Sequence, residues 1–533
     1  EPYVPPEAKL CHALASGGCT RPACKFSHDV KAFLAEKAPD LAPRCPIFDK
    51  YGECPSGIKC RFGASHIDVD ACVSIRKPDA ECVKIPEELN RVSLETRRGL
   101  QRSTYDFKWA PPRRRKGKKR GRGGGAAEVP PPALKPARPT DRELKTLDLT
   151  GKVYIAPLTT VGNLPYRRVM KDMGADVTCG EMALSMKMLE GSGSDWSLLR
   201  RHPSEDIFGV QLAGCFADGM AQVSEVIERE LNVDFVDLNM GCPIDSVCRK
   251  GMGSALMNRA GRVKTVVQAM RNILSCPITI KIRMGFEDSK PTAHNLVHAM
   301  RSQGVVSAIT VGGVVFVSPP PPTQQKTTSR QPPQLHGRSR AQRYTRLADW
   351  DYIASIGKIA SSPMEDGSAP IPMIGNGDVF SFEDWNKAMA MDGVATAMLA
   401  RGALIKPWLP TEIKEQRHWD ISSSERMDML KRFTAYGLEH WGSDDVGVNL
   451  TRQYMLEWLS FLWRYVPVGL LEVLPQNLTD RPLLYHGRND LEKLMGSPQP
   501  QDWVKITEML LGPVPEGFSF TPKHNANSFV RRD

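Results

Sequence analysis

The chain has 533 residues, of which 71 are lysine or arginine and 60 are aspartate or glutamate, so its formal net charge is +11. At roughly 100–200 residues per domain this length predicts about two to four domains, and a hydrophobic content of 41% excludes a mainly disordered or fibrous protein. No apolar run of about 18 residues is present, which excludes a membrane-spanning helix. The chain opens at Glu1 without a signal segment, so we expect it to begin inside a longer protein and its thirteen cysteines to serve in metal binding or catalysis.

Two clusters near the start repeat the order Cys, Cys, Cys, His, and we expect region 1–70 to bind two zinc ions. The first cluster is Cys11, Cys19, Cys24 and His28, and the second is Cys45, Cys54, Cys60 and His66. Three thiolates and one imidazole are typical of a structural zinc site, which would supply the folding energy of so short a segment. Five residues separate Cys60 from His66, whereas three separate Cys24 from His28. The assignment of His66 as a ligand is therefore weaker than that of His28.

The spacing resembles the CCCH zinc-finger family, whose members often bind single-stranded RNA. Phe26 and Phe62 each follow a third cysteine by two residues. Each ring either stacks on a base or packs beside the zinc site.

Residues 71–144 are predicted to be a linker rich in proline, glycine and basic side chains. Eight of the basic residues lie within 113–122, which contains no acid. Such a run suits RNA phosphates or a nuclear import receptor, although it could equally be a solvated linker. We therefore expect the protein in the cytoplasm and the nucleus.

Short β-type runs alternate with helical patterns through residues 145–415, which predicts an α/β fold, a TIM (β/α)8 barrel. The predicted strands are Lys152–Pro157, Asp176–Gly180, Asp206–Leu212, Asp234–Asn239, Pro277–Arg283, Ala308–Val311, Ile371–Asn376 and Ala395–Ala400. A low-complexity insertion, 312–334, interrupts the pattern with six prolines. It is either a gene-model error such as retained intron sequence or a lineage-specific loop.

Polar residues follow nearly every predicted strand, where a TIM barrel carries its active site. The fourth strand ends in Asp-Leu-Asn-Met-Gly-Cys-Pro, which presents the thiol of Cys242 in a tight turn. By itself this thiol could be a nucleophile, a proton donor or a structural group.

The ordered motifs of residues 150–470 resemble the tRNA-dihydrouridine synthases, flavin-dependent enzymes that reduce uridine in tRNA. The motifs are Ala156–Thr159, Pro165–Arg168, Gly180–Met182, Val210–Leu212, Asp237–Pro243, Lys281–Arg283, His336–Arg338, Asn376–Asp378 and Ala400–Gly402. With zinc fingers before the barrel, the resemblance points to the eukaryotic branch that modifies uridine 47 of the variable loop.

The resemblance implies FMN as cofactor and NADPH, or NADH, as reductant. The residues implied in FMN binding are Pro157, Leu158, Thr159, Gln211, Lys281, Arg283, His336, Asn376, Gly377, Asp378, Ala400 and Arg401. It further implies that hydride passes to uracil C6, that Cys242 protonates C5, and that Asn239 orients the flavin or the uracil edge. The implied partner is tRNA, with mRNA as a further candidate, and we expect a monomer.

Residues 416–475 match a helical tRNA-binding domain, and 476–533 are predicted to be a partly irregular tail. Arg452 and Arg464 are candidates for phosphate contact, whereas the aromatic stripe around them is also what a core would show. Two competing functions are a flavin barrel that reduces a free pyrimidine or an enone, and a non-catalytic RNA-binding protein with a barrel scaffold. The zinc fingers and basic linker argue against the first, and the intact Cys242 and Lys281 argue against the second.

Overall fold

The computed structural model describes residues 9–15, 18–112, 145–286, 291–301, 306–312, 347–363, 370–478 and 485–523. The basic run 113–122, His336 and all but the first residue of the predicted insertion lie outside these ranges. The chain forms two compact units. The first unit holds the N-terminal residues to Glu87, Trp419–Leu474 and the chain from Arg481, and the second holds Glu88–His418 with Pro475–Asp480. No helix within the described ranges is long and apolar enough to cross a membrane.

The second unit is a closed barrel of eight parallel strands, as the sequence predicts. Its strands are β1 Tyr154–Ile155, β2 Val177–Cys179, β3 Ile207–Ala213, β4 Phe235–Met240, β5 Ile278–Arg283, β6 Ala308–Gly312, β7 Met373–Asn376 and β8 Val394–Leu399. Each strand pairs with the next, and β8 pairs with β1 to close the ring. A short extra strand, Ala183–Leu184, pairs with β3.

Alternation along β4 decides which side chains enter the barrel. Phe235 packs with residues of β1, β2, β7 and β8, among them Tyr154 and Ile374, inside the ring. Because side chains alternate along a strand, Asp237 and Asn239 also point inward. The intervening Val236, Leu238 and Met240 pack in the larger core between the sheet and the helices.

Helices cover the outside of the barrel and provide the connections between the strands. Those of the second unit are Leu94–Arg102, Leu164–Asp172, Ser185–Leu189, Gly193–Ser197, Ala217–Glu230, Asp245–Cys248, Ala260–Arg271, Ala293–Arg301, Trp350–Ser361, Phe382–Met389, Arg401–Ile405 and Leu409–Glu415. The first of these lies within the span predicted as linker. The segment that follows it is fixed to the barrel by the buried carboxylate of Glu225, which accepts hydrogen bonds from the backbone N–H groups of Lys108, Trp109 and Ala110 at 2.6–3.0 Å.

The first unit combines the cysteine clusters with four C-terminal helices: α1 Ser423–Trp441, α2 Asp445–Leu462, α3 Asp490–Met495 and α4 Pro500–Leu511. Shorter elements are His12–Ala15, Val30–Glu36, Pro46–Tyr51 and a hairpin of Ile67–Asp68 with Val73–Ser74. The predicted tail therefore contains two helices. Phe48 and Phe62 share a core with Leu438 of α1, Val448 of α2 and Leu511 of α4. The second cluster is thus packed into the helical unit.

The predicted stripe of basic and aromatic residues, which lies on α2 and directly after it, is largely core. Arg452 is 2% exposed and donates to Thr507 Oγ1 at 3.0 Å and to the Leu511 carbonyl at 3.0 Å, so its predicted phosphate contact is wrong. Arg464 is buried as well, and Trp458, Phe461, Trp463 and Tyr465 are all buried. An aromatic stripe at helical spacing meets the opposing helices here, which is its usual role in a bundle.

Candidate functional site

A chain of buried hydrogen bonds joins β3, β4 and β5 inside the barrel and leads to the carboxyl end of β4. Asp237 accepts from Thr279 Oγ1 at 2.6 Å and from Gln211 Nε2 at 2.7 Å. The oxygen of that Gln211 amide accepts from Asn239 Nδ2 at 2.8 Å. Because a carboxylate only accepts, Asp237 fixes which way the Gln211 amide faces, and that in turn fixes the Asn239 amide.

The end of this chain holds the turn that carries Cys242. Asn239 Oδ1 accepts from the backbone N–H groups of Gly241 at 3.1 Å and Cys242 at 2.9 Å. On the neighbouring strand, Arg283 Nε donates to the Gly241 carbonyl at 2.6 Å. Asn239 therefore positions the turn of Cys242, and Arg283 braces the same turn from β5.

The thiol of Cys242 is half-buried, and burial raises its pKa. It therefore stays protonated at neutral pH, which suits a proton donor and not a thiolate nucleophile. The loop behind it is closely packed, because the Cys242 carbonyl accepts from the Ser254 N–H at 3.0 Å. A Cβ on Gly253 would lie 2.7 Å from that carbonyl, so only glycine fits there.

Lys281 brings a cation into the barrel mouth from β5. Its Nζ donates to Asn376 Oδ1 of β7 at 3.1 Å, and Asn376 Nδ2 donates to the Met398 carbonyl of β8 at 2.8 Å. Desolvation lowers the pKa of Lys281 to about 8, and the nearby Asp237 partly offsets this. The ammonium is thus partly desolvated and close to losing its proton at mildly alkaline pH.

The loops after β7 and β8 are joined by a second polar contact. Arg401 Nη2 donates to Asp378 Oδ1 at 3.2 Å, and Asp378 adopts a left-handed backbone with φ of 48°. Gly377 leaves no room for a side chain, since a Cβ there would lie 2.2 Å from the Ala348 Cβ. Ala400 precedes the short helix Arg401–Ile405. The predicted phosphate-binding residues of the two loops are therefore brought together.

The loop after β1 places Pro157, Leu158 and Thr159 at the same end of the barrel. It is held by Glu181, whose Oε2 accepts from the Thr160 backbone N–H at 2.6 Å. His336, predicted to hold flavin or substrate, lies outside the described residues.

These residues fit a flavin by the chemistry of their donors. Gln211 and Asn239 supply amides, and Lys281 supplies a partly desolvated cation, which suits the negative charge of a reduced isoalloxazine. The loops of Asn376–Asp378 and Ala400–Arg401 follow the seventh and eighth strands, where barrels of this kind commonly bind phosphate. The site has, in addition, one protonated thiol.

Both predicted metal clusters are assembled in the first unit. In each, the three sulfur atoms and a histidine nitrogen lie within 4.8 Å of one another. His66 is fully buried, and neither of its ring nitrogens has a hydrogen-bond partner among the described residues. A buried imidazole without a partner is costly unless it binds a metal, so the second cluster fits zinc in spite of its longer spacing. Phe62 is 2% exposed and belongs to the core, whereas Phe26 is 39% exposed.

Three supporting residues were not predicted from the sequence. Asp237 and Thr279 anchor the amide chain, and Ser443, between α1 and α2, places its hydroxyl 3.2 Å from the sulfur atoms of both Cys54 and Cys60. The period of two along β4 and β5 could have placed Asp237 beside Asn239 and Thr279 beside Lys281. Nothing in the sequence signals the contact of Ser443, because it joins residues nearly 400 positions apart.

The closed barrel, its polar mouth and its thiol turn define an oxidoreductase of the flavin-dependent TIM-barrel class. Residues 154–329 and 331–456 match the family described as dihydrouridine synthase (Dus), and residues 37–69 match the DUS3L CCCH zinc finger domain. The chain belongs to the dihydrouridine synthase family, and it is an enzyme.

Three relatives show how far the similarity extends, and each is called tRNA-dihydrouridine(47) synthase [NAD(P)(+)]-like. The protein of Rattus norvegicus is 45% identical over 98% of this chain and 82% of its own length. That of Homo sapiens is 44% identical over 99% and 83%, and that of Oryza sativa is 39% identical over 96% and 84%. The similarity thus includes both units.

Proposed function

We propose that this chain reduces the C5–C6 bond of uridine 47 in the variable loop of tRNA, with FMN as cofactor and NADPH as reductant. The observation that carries the proposal is the hydrogen-bonded chain from Asp237 to the turn of Cys242, beside the cation Lys281. The names of the relatives support the substrate and its position.

In the proposed reaction FMN, when bound, supplies a hydride to uracil C6. Cys242 then gives its proton to C5, which its raised pKa favours because the thiol is protonated before the reaction. Asn239 holds that thiol at a fixed position through the backbone of the turn. Lys281 stabilises negative charge on the cofactor as long as its ammonium keeps its proton.

The test compares two cysteine variants of the full chain purified with FMN. Cys242→Ala should keep the flavin spectrum and its reduction by NADPH, yet form dihydrouridine in a tRNA transcript at least about a hundredfold more slowly. Cys276→Ala is the control, since this buried thiol precedes β5 at the opposite end of the barrel. Wild-type rates in Cys242→Ala, measured by mass spectrometry of digested tRNA, would contradict the assignment of the acid.

The position and the reductant are tested separately. A transcript with cytidine in place of uridine 47 should give no product, while the unaltered transcript does. Flavin reduction followed by absorbance should be faster with NADPH than with an equal concentration of NADH. An equal rate with NADH, or product from the altered transcript, would refute the corresponding part of the proposal. The same assay on an mRNA fragment tests whether mRNA is a second substrate.

We further propose that each cysteine cluster binds one zinc ion. Metal analysis of the purified chain should find about two zinc ions per molecule, and Cys60→Ser should reduce this to about one. We also propose that the protein is a monomer found in the cytoplasm and the nucleus, which light scattering and fluorescence microscopy of a tagged chain test directly.

A further inference from the structure

Beside the turn of Cys242 the barrel exposes a surface that the proposed chemistry does not use. We call it the mouth patch, and it consists of Phe216, Ile244, Arg249, Lys250, Arg259 and Arg262. All six side chains are exposed, the first two by 50% and 48%. Phe216 and Ile244 are thus two large apolar side chains that the barrel leaves open to solvent.

The patch is positively charged in sequence, because its cations have few acidic neighbours along the chain. Gly241–Arg262 contains four basic residues and one acid, Asp245. None of the four basic side chains forms an ion pair with another residue in the part of the chain that the structure describes. Cations that form no ion pair within the protein can bind phosphate.

Contacts between the segments that carry the patch hold several of its residues close together. The Lys250 carbonyl accepts from the Cys215 thiol at 3.3 Å, which ties this loop to the residue before Phe216. A Cβ on Gly251 would lie 3.6 Å from Arg259 Nη1 and 3.9 Å from Arg262 Nη1. The cations are therefore gathered around a single loop behind the catalytic turn.

The patch begins close to the proposed proton donor in sequence, because Ile244 follows Cys242 by two residues. The Ser254 N–H, in the same loop, donates to the Cys242 carbonyl at 3.0 Å. Both strands that lead into the patch, β3 and β4, end at the mouth of the barrel. A nucleotide that reaches Cys242 would bring its neighbours in the strand past this surface.

The segment that leads to the basic run packs on the same helices. Ala110 packs against Ala221 and Ala269, which belong to the helices that follow Phe216 and Arg259. The described segment ends at Pro112, directly before the run of eight basic residues. The charge of the chain is therefore concentrated in sequence next to a segment fixed on this side of the barrel.

We propose that the mouth patch binds the RNA strand that flanks the extruded uridine, with its cations on the phosphates and Phe216 stacked on a neighbouring base. This inference rests on the proposed function, because it assumes an RNA substrate extruded into the barrel. Phosphates of the nicotinamide nucleotide share the same chemistry, but four cations and two exposed apolar side chains fit a longer strand.

The test measures the affinity of the FMN-loaded full chain for an unmodified tRNA transcript over a range of salt concentrations. Arg259→Ala/Arg262→Ala should weaken binding and make the negative slope of log K against log salt shallower by about 1.4–1.8, which corresponds to the loss of two phosphate contacts. Phe216→Ala should weaken binding about tenfold with the slope unchanged, because stacking is not a charge interaction. Lys358→Ala/Lys387→Ala removes two exposed cations from helices after β6 and β7 and serves as the matched control.

Flavin reduction by NADPH without RNA shows whether each variant is folded. It also tests whether the patch binds the phosphates of NADPH instead of those of RNA. Unchanged reduction together with weaker tRNA binding supports the inference. A slope no different from that of the control variant would overturn it, and so would a higher NADPH requirement with normal tRNA affinity. Failure of the proposed function would look different, because the wild-type chain itself would then form no dihydrouridine.

Discussion

Asn239→Asp tests whether the amide chain controls the turn that carries Cys242. The two N–H groups of Gly241 and Cys242 would still find an oxygen at the introduced carboxyl group. Its second oxygen, however, would replace Asn239 Nδ2, which now donates to the Gln211 oxygen at 2.8 Å. Two oxygen acceptors would then face each other. Gln211 cannot turn over to help, because its Oε1 would then face the carboxylate of Asp237.

The size of the effect follows from this conflict between two acceptors. A buried polar group left unsatisfied costs about 1–3 kcal/mol, and 1.36 kcal/mol corresponds to a factor of ten in rate. Dihydrouridine formation should therefore fall about 5- to 150-fold relative to wild type at about pH 8. At low pH the introduced carboxyl is protonated and can donate to Gln211, so the deficit should shrink. Burial beside Asp237 raises the pKa of such a carboxyl, which brings this recovery into a measurable range.

The assay is the ratio of variant to wild-type rate in single-turnover reactions with prereduced enzyme between about pH 5.5 and about pH 8. Taking the ratio removes the titration of Cys242, which both proteins share. The ratio should fall as pH rises. A ratio that is independent of pH, or near one at about pH 8, would refute the role given to the amide chain.

Three further predictions concern residues that support the two sites. Glu205→Gln should lower the free energy of unfolding by about 3–5 kcal/mol, because it leaves the buried guanidinium of Arg167 without its carboxylate partner. The control Asp206→Asn breaks an exposed ion pair and should cost less than about 1 kcal/mol. Equal shifts in melting temperature for the two variants would contradict this prediction. The flavin midpoint potential should drop as pH rises through about 8, where the ammonium of Lys281 loses its proton. Lys281→Met should remove this part of the pH dependence of the potential. An identical pH dependence in both proteins would exclude Lys281 as its source. Ser443→Ala should weaken the binding of one zinc ion about 10- to 100-fold in chelator competition, because the thiolates of the second cluster lose a hydroxyl donor. Unchanged zinc release would show that this contact does not support metal binding.

Much of the barrel and its site follows from local patterns in the sequence. All eight strands were predicted to within two residues, because buried parallel strands are short apolar runs that end in polar residues. The order of the ligands in both cysteine clusters was also local information. Even the position of Cys242 follows from its motif, since glycine and proline on either side of the thiol specify a tight turn.

The tertiary structure decided which charged and aromatic residues are free to act. Arg452 and Phe62 are of residue types that often contact RNA. Each is nevertheless buried by helices from distant parts of the chain. Asp237 and Ser443 act only through partners that the fold brings to them. The net charge of +11 is a property of the sequence alone, but only folding separates cations that pack in a core, such as Arg452, from those that stay exposed, such as Arg259. Burial is a property of contacts between distant segments, and composition and period do not contain it.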